Sequence, residues 1–440
     1  MKITNAWICQ IEDNKIKPVF GDIYIRNGTI IDIQKKKYND YVVETENKTA
    51  PKSGYNVQGR VITVPQVNFH EHFYSRLAKG LSIKGDMDSF ENILNNLWWK
   101  LDKILDRDMT IASIQMAALE SIQNGVTYIF DHHASQKFIK DSLSDIADIL
   151  KKMGLRAVLC FETSDRIDEK LSTAALKENE RYAKFQNGDL KAMLGLHASF
   201  TLKDCTLEEA GKVIENNDLG IHIHLCEGDT DRKESQRLFG NLPTRRLKKY
   251  NLLNDKSILA HGVDLIDEDY IMIKESGSAF VFNIDSNFNN SVGLPDFKDA
   301  LQDIPVLVGT DGMHANIAKS MKQLFLCLRF QENSFDKAFQ FINKCYFDQI
   351  NFVKKYYPDF PSLQLGDRAD FIVWDYIPPT PFIVENFFGH YIYGMCERPI
   401  QSVIQNGKFL MKNQQISLSS KQDIELNIHQ QGRKLFSKFK

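Results

Sequence analysis

The stretch from Val61 to Tyr74 is an apolar run that ends in His70-Glu71-His72. On a strand successive side chains alternate faces, so residues two apart point the same way. His70 and His72 therefore aim two imidazoles at one point where the strand runs out, a donor pair suited to a borderline cation such as zinc. One such pair is as readily two loop or surface histidines, and a metal site needs further ligands from other strand ends. The chain has 11 histidines. His70, His72, His132, His133, His197, His222, His224 and His261 all lie in or just after apolar strand-like runs.

The runs themselves recur with helical stretches between them. After the first come 125–131, 155–161, 192–197, 219–225, 257–261, 279–283 and 305–311. Helical character lies between, as in Ser142 to Met153 and Thr206 to Asn216. Eight alternating units over roughly 250 to 300 residues is the arithmetic of a (β/α)8 barrel, and strands that are apolar throughout fit a parallel sheet buried on both faces. Residues 1–63 read instead as short strands with turns, including an Asn27-Gly28 hairpin signal, and the polar stretch 35–53 reads as a loop. β signals return near Phe371 and Ser402, with a second turn pair at Asn406-Gly407. The expectation is α/β: a (β/α)8 TIM barrel over 64–358, inserted into a small composite β-sandwich made from 1–63 and 359–440, with a C-terminal tail. A long insertion, Gly80 to Lys103, follows the first strand and carries Trp98-Trp99; Ile317 to Tyr356 is mostly helical.

In such barrels the chemistry sits at the C-terminal strand ends. These ends carry His70 and His72, then Asp131-His132-His133, then Glu162 with Asp165 and Arg166. They continue with His197, His222 and His224 followed by Glu227, His261, Asn283 and Asp311. A catalytic metal site has few protein ligands and one open position. His70, His72, one histidine of the fifth strand and Asp311 meet that need. His224 is preferred because it lies nearer the strand end, and His222 reads as an inward core histidine. Asp311 also suits a proton acceptor. Glu227 suits a proton shuttle, against a plainer reading as a helix N-terminal acid, and His261 suits a hydrogen-bonding partner of substrate or water. No lysine closes the fourth strand, where a metal-bridging one would sit, so one metal is expected rather than two. Asp131 to His133 and Glu162 to Arg166 either line the pocket or hold loops. His197, His133, Asn283 and Trp98 are candidate substrate contacts, with helix packing the competing reading for at least one of Trp98 and Trp99.

Composition narrows the classes. Hydrophobic residues make up 43%, charged residues 25%, and net charge is -2 with no basic block. These values argue for a globular protein and against nucleic acid or an anionic membrane surface as partner. Seven scattered cysteines without a CxxC spacing fit a reducing compartment, and the cytoplasm is the expected location. P-loop, GxGxxG, GxSxG, HExxH and Pro-Cys-x-x-Cys patterns are absent.

Taken together, Asn68 to His72, Leu97 to Asp102, Asp131 to Ser135, Glu162 to Arg166, Gly195 to Thr201, Ser286 to Asn290 and Gly309 to Gly312 are a specific set. By these marks the chain resembles the amidohydrolase superfamily, in its cytosine deaminase-like and chlorohydrolase-like branch, and is similar there to SsnA-type aminohydrolases. The resemblance implies a single divalent metal on His70, His72, His224 and Asp311, zinc first, with iron or manganese as alternatives. It implies Glu227 and His261 as catalytic partners, and His197 as a substrate contact. Two positions depart from the family pattern: Val64-Pro65 stands for Pro-Gly, and Glu71 for a threonine. The expected reaction is hydrolysis of a C–N bond other than a peptide bond: deamination of an amino-substituted nitrogen heterocycle by the hydroxide that a bound metal generates, with Asp311, His261 and Glu227 handling protons. The alternatives are hydrolysis of a cyclic amide or of a chloro or alkylamino substituent at the same site, and an inactive barrel used for binding. The partners implied are a small heterocycle and water, with a homodimer left open.

Overall fold

The computed structural model describes residues 1–39, 54–186, 188–297 and 299–439, so most of the loop expected over 35–53 lies outside the described residues. The first strands are β1 (Lys2–Glu12), β2 (Lys15–Arg26), β3 (Thr29–Lys35), β4 (Tyr55–Asn56) and β5 (Val61–Thr63). The barrel strands follow: β6 (Gln66–Glu71), β7 (Val126–His133), β8 (Arg156–Phe161), β9 (Leu190–Ala192), β10 (Leu194–Ala198), β11 (Ile221–Leu225), β12 (Ile258–His261), β13 (Ala279–Phe282) and β14 (Val306–Val308). The last are β15 (Phe371–Trp374), β16 (Ile400–Gln405), β17 (Lys408–Lys412) and β18 (Gln415–Ile416).

Strands from both ends of the chain share one nine-stranded sheet, ordered β18-β17-β16-β15-β5-β1-β2-β3 with β4 also on β1. The N- and C-terminal segments meet where β15 pairs antiparallel with β5. Both turn pairs close hairpins: Asn27 and Gly28 have φ of 52° and 78°, Asn406 and Gly407 of 50° and 69°. Positive φ at both central residues is the type I′ geometry that matches strand twist. The two turns pack together so closely that a Cβ on Gly28 would lie 2.3 Å from Asn406 Oδ1.

Parallel strands β6-β7-β8-β9 and β10-β11-β12-β13-β14 form the barrel wall. Ala192 and Leu194 flank the single residue Met193, so β9 and β10 occupy one strand position of eight. A parallel bridge between Thr163 and Leu196 joins the halves on one side, and one between Glu71 and Asp311 closes the other. Apart from the half-buried Lys191 of β9, the barrel strands are buried along their length, as expected of a sheet covered on both faces. Helices Ser142–Lys152 and Asp204–Asn217 fall where the periodicity places them, and 317–356 is the pair Ile317–Phe330 and Phe335–Tyr356.

The segment read only as a tail ends in a helix, Lys421–Lys438, that docks on the barrel helix Arg107–Gln123. Lys434 and Lys438 reach Asp106, the N-cap of that barrel helix, at 2.9 and 3.2 Å. Its buried residues are Ile424 and Leu435, too sparse a stripe to read as an amphipathic helix.

Candidate active site

The end of β6 carries the site's first two donors, as alternation requires. His70 and His72 point inward, while Glu71 between them turns away and pairs with the buried Arg76. Glu71 also accepts from Asn68 Nδ2 at 2.7 Å and Thr310 Oγ1 at 3.2 Å. Burial raises its carboxyl to about 8, against the pull of Arg76. The Glu71 side chain therefore stays out of the space between the histidines and Asp311 and belongs to the β6–β14 seam.

His224 from β11 and Asp311, just past β14, complete a cluster with His70 and His72 whose potential ligand atoms all lie within 4.8 Å of one another. His72 Nε2 is 3.1 Å from His224 Nε2 and 2.9 Å from Asp311 Oδ1, and His70 Nε2 is 3.4 Å from the same oxygen. Four ligands about 2.0–2.1 Å from one tetrahedral zinc lie roughly 3.3 Å apart, so these separations fit a small borderline cation. Ring orientation fits as well. His72 Nδ1 donates to the His132 carbonyl at 2.6 Å and His224 Nδ1 to the His197 carbonyl at 2.8 Å, so in the neutral rings that bind a cation both Nε2 atoms are lone pairs. His70 Nδ1 faces His222 Nε2 at 2.8 Å, so His222 backs a ligand instead of being one, and the buried His70 Nε2 lacks a hydrogen-bond partner. The donors present fit a divalent cation.

Electrostatics agree with a site built for positive charge. Burial opposes ionisation of Asp311, but the imidazoles of His70 and His72 beside it outweigh burial and hold the carboxyl well below its usual range. Burial disfavours charge on His72, yet the hydrogen bond and charge of Asp311 prevail and raise it to about 9. His261 (φ 77°) and Asp311 (φ 51°) take left-handed backbone at their strand ends, a strained conformation that sharp turns at functional sites tolerate. Gly309 packs against this cluster. A Cβ there would lie 2.5 Å from Asn283 Oδ1 and 2.6 Å from His70 Cβ. Gly309→Ala is therefore expected to cost about 1–3 kcal/mol and to loosen metal retention by displacing His70, measurable by denaturant unfolding and metal analysis.

Beside the cluster, Glu227 Oε2 is 3.7 Å from His261 Nε2, and Glu227, His261 and Asp311 form a second converging group. Burial, followed by the charge of Asp311, pushes the Glu227 carboxyl up to about 7. His72, His224, Glu227 and Asp311 line a cavity of about 520 Å³ together with His197, Trp98 and Trp99, while His70 and His261 are buried behind its lining. Trp98 reaches it from a single π-helical turn, Leu94–Trp98, within the long insertion, an irregularity common at functional sites. Asp102, Glu162 and Arg166 also line the cavity, with Arg166 Nη1 on Glu162 at 2.7 Å and its guanidinium 5.4 Å from the Trp99 ring centre.

His133 and Asn283 are placed elsewhere: neither lines the cavity. His133 Nε2 pairs with Ser135 Oγ at 2.9 Å, and its ring packs against Tyr74. Asn283 is buried at the end of β13 against Gly309, behind His70. His132 holds His72 through its carbonyl and bonds its ring Nε2 to the Leu196 carbonyl. Sequence reasoning gave no role to Ser286, Asn287 and Asn290. Ser286 Oγ donates to Asp311 Oδ2, Asn287 Oδ1 faces His261 Nδ1 at 2.9 Å, and Asn290 Nδ2 donates to Glu227 Oε1 at 3.3 Å. The available signal was three small polar residues clustered just after an apolar strand.

The fold and this arrangement define a metal-dependent hydrolase barrel. The chain belongs to the amidohydrolase family, whose model matches residues 66–410. It is 24% identical over 437 residues to a 5-methylthioadenosine/S-adenosylhomocysteine deaminase from Bacillus cereus (strain B4264), covering 94% of each chain. Among solved structures it superposes on an adenosine deaminase from Xanthomonas campestris with bound zinc (TM-score 0.81, 17% identity, 99% of this chain and 98% of that one). It likewise superposes on the zinc complex of atrazine chlorohydrolase TrzN from Arthrobacter aurescens TC1 (TM-score 0.77, 18% identity, 98% and 99%). The chain is thus a metal-dependent hydrolase of C–N bonds other than peptide bonds. Among the described residues no helix is long and apolar enough to cross a membrane.

Proposed function

We propose that His70, His72, His224 and Asp311 hold one divalent cation, zinc before iron or manganese, and that the site deaminates an amino-substituted nitrogen heterocycle, an aminopurine first. The observation that carries this reading is the convergence of three imidazoles and Asp311 beside Glu227, whose carboxyl burial pushes up to about 7. A cation there supplies Lewis acidity that lowers the pKa of water from 15.7 toward roughly 7. Glu227, able to carry a proton at pH 7, hands it to the ring nitrogen next to the amino-bearing carbon. Asp311 and His261 orient the attacking water and take its proton. The water oxygen bonds to the ring carbon; the proton taken from water passes from Asp311 and His261 to the amino group, which leaves as ammonia as the C–N bond breaks, and the proton left on the new hydroxyl returns to Glu227 as the carbonyl forms. Trp98 and Trp99 offer apolar surface to a planar ring, and His197 offers it a polar contact. All seven cysteines are unpaired, which supports a cytoplasmic setting.

Ammonia release over aminopurines and their nucleosides, aminopyrimidines, pterins and triazines tests the reaction. Ammonia from an aminopurine is expected. Metal-loaded protein that releases chloride or an alkylamine, or opens a cyclic amide, would move the assignment to that leaving group. One that turns over nothing would point to a binding role.

Cation binding should also move a proton. Without a cation, His72 is charged at pH 7 because its pKa is raised to about 9. The cation competes with that proton, so affinity rises from pH 7 toward 9 and about one proton is released at pH 7. Calorimetry in buffers of different ionisation enthalpy reads that number; zero protons would contradict it.

A further inference from the structure

The short helix Ile284–Asn289 begins where β13 ends, and the chain turns there so that Asn287 N bonds to Asn283 O at 2.9 Å and Asn290 N to Ser286 O at 2.8 Å. Ser286, Asn287 and Asn290 are all buried. Their polar atoms go to Asp311, His261 and Glu227 respectively, which arrive from three other strand ends. In each case the contact ties up one atom of the pair a side chain offers and leaves its partner atom for the site. Asp311 Oδ2 is held by Ser286, while Oδ1 faces His70 and His72. Glu227 Oε1 is held by Asn290, while Oε2 faces His261. His261 Nδ1 is held by Asn287, while Nε2 faces Glu227.

We propose that the turn Ser286–Asn290 is the positioning element for the proton-handling groups, and that Asn287 in particular fixes the tautomer of His261. An amide oxygen can only accept, so the ring proton of His261 sits on Nδ1. In the neutral ring Nε2 is then a lone pair toward Glu227, the form needed to orient water and take its proton. Ser286 and Asn290 act alongside it by setting the rotation of the two carboxylates. Asn287 touches neither substrate nor metal ligand in this scheme; it acts through His261. The inference rests on the deaminase reading for its kinetic consequence, although the tautomer does not.

The test uses the full-length, zinc-loaded protein with ¹⁵N-labelled histidine, together with Asn287→Leu and Asn287→Asp. Leucine matches the size of the amide without a polar atom, and aspartate keeps the acceptor. In the wild type the His261 ring is expected in the Nδ1–H form, and Asn287→Leu is expected to lose that signature. With the aminopurine that yields ammonia, Asn287→Leu should lower kcat by about 10²-fold and change KM less than about threefold, at one zinc per chain. Asn287→Asp should recover most of that loss, an outcome a purely structural role would not produce. An Nε2–H wild-type ring, an Asn287→Leu kcat within about threefold of wild type, or equal impairment of both variants would overturn the proposal. If the wild type releases no ammonia from any aminopurine, the deaminase reading fails, while the ring spectrum still decides the tautomer.

Discussion

Glu227→Gln is expected to keep one metal per chain and to lower kcat by about 10²- to 10⁴-fold, the usual worth of general acid–base catalysis. Gln matches the shape of Glu and can still accept from Asn290 through its amide oxygen, so the local packing survives. It cannot carry and release a proton. The four clustered donors do not include Glu227, so metal content should be unchanged. The pH profile gives a second readout. Burial and the nearby Asp311 charge raise the Glu227 carboxyl to about 7, so it is protonated below that pH and loses the proton above it. An acid that protonates the substrate therefore predicts a rate that falls as pH rises through about 7, and the glutamine variant should lack that limb. Turnover near the wild-type level in Glu227→Gln would remove this residue from the chemistry.

Arg166→Met is expected to produce the largest loss of stability. Arg166 stands between Glu162 and Asp102, and all three side chains are almost fully buried. Burial favours the neutral form of Glu162, but the Arg166 charge outweighs it and holds the carboxyl near 2. Burial raises Asp102 to about 7 even against Arg166. Without the guanidinium, two buried carboxyls would face each other with no cation between them. Removing one partner of a buried ion pair typically costs about 3–5 kcal/mol, and equilibrium denaturation should show a loss in that range. The folded Glu162 pKa lies below its unfolded value, so its stabilisation is present above about pH 4.3 and fades as pH falls toward 2. Because the network lines the cavity, KM should rise as well. Unfolding free energy within about 1 kcal/mol of wild type would mean that the pairing contributes little.

Much of the site was legible because it follows from strand parity. His70 and His72 face one way since they are two apart, and His224 and His261 end strands whose apolar runs are unambiguous. Asp311 was read from a run that the structure shortens to Val306–Val308, yet its place beyond the strand end is what brings it to His72. Parity could not tell His222 from His224. Their difference is depth: His222 meets the far nitrogen of His70, and His224 meets the cluster. Position at a strand end says nothing about which face a side chain takes past the last ladder pair, as at Asn283, whereas His133 is still paired with Phe161 and alternates away from the inward His132; both lie outside the cavity lining. The π-helical turn that presents Trp98 and the amide contacts of Ser286, Asn287 and Asn290 are tertiary matches with no periodic signature. The C-terminal helix was missed because its stability comes from docking onto the barrel and not from its own apolar stripe.

The central claim is that one cation, held by three imidazoles and one carboxylate, drives the reaction. The direct test is metal content and ammonia release measured on the same samples, while a chelator strips the protein and stoichiometric zinc is returned, for the wild type and His72→Ala. The account predicts one metal per wild-type chain, activity that falls and returns with it, and neither metal nor activity in His72→Ala. Full turnover by metal-free protein, or wild-type metal content in His72→Ala, would contradict it.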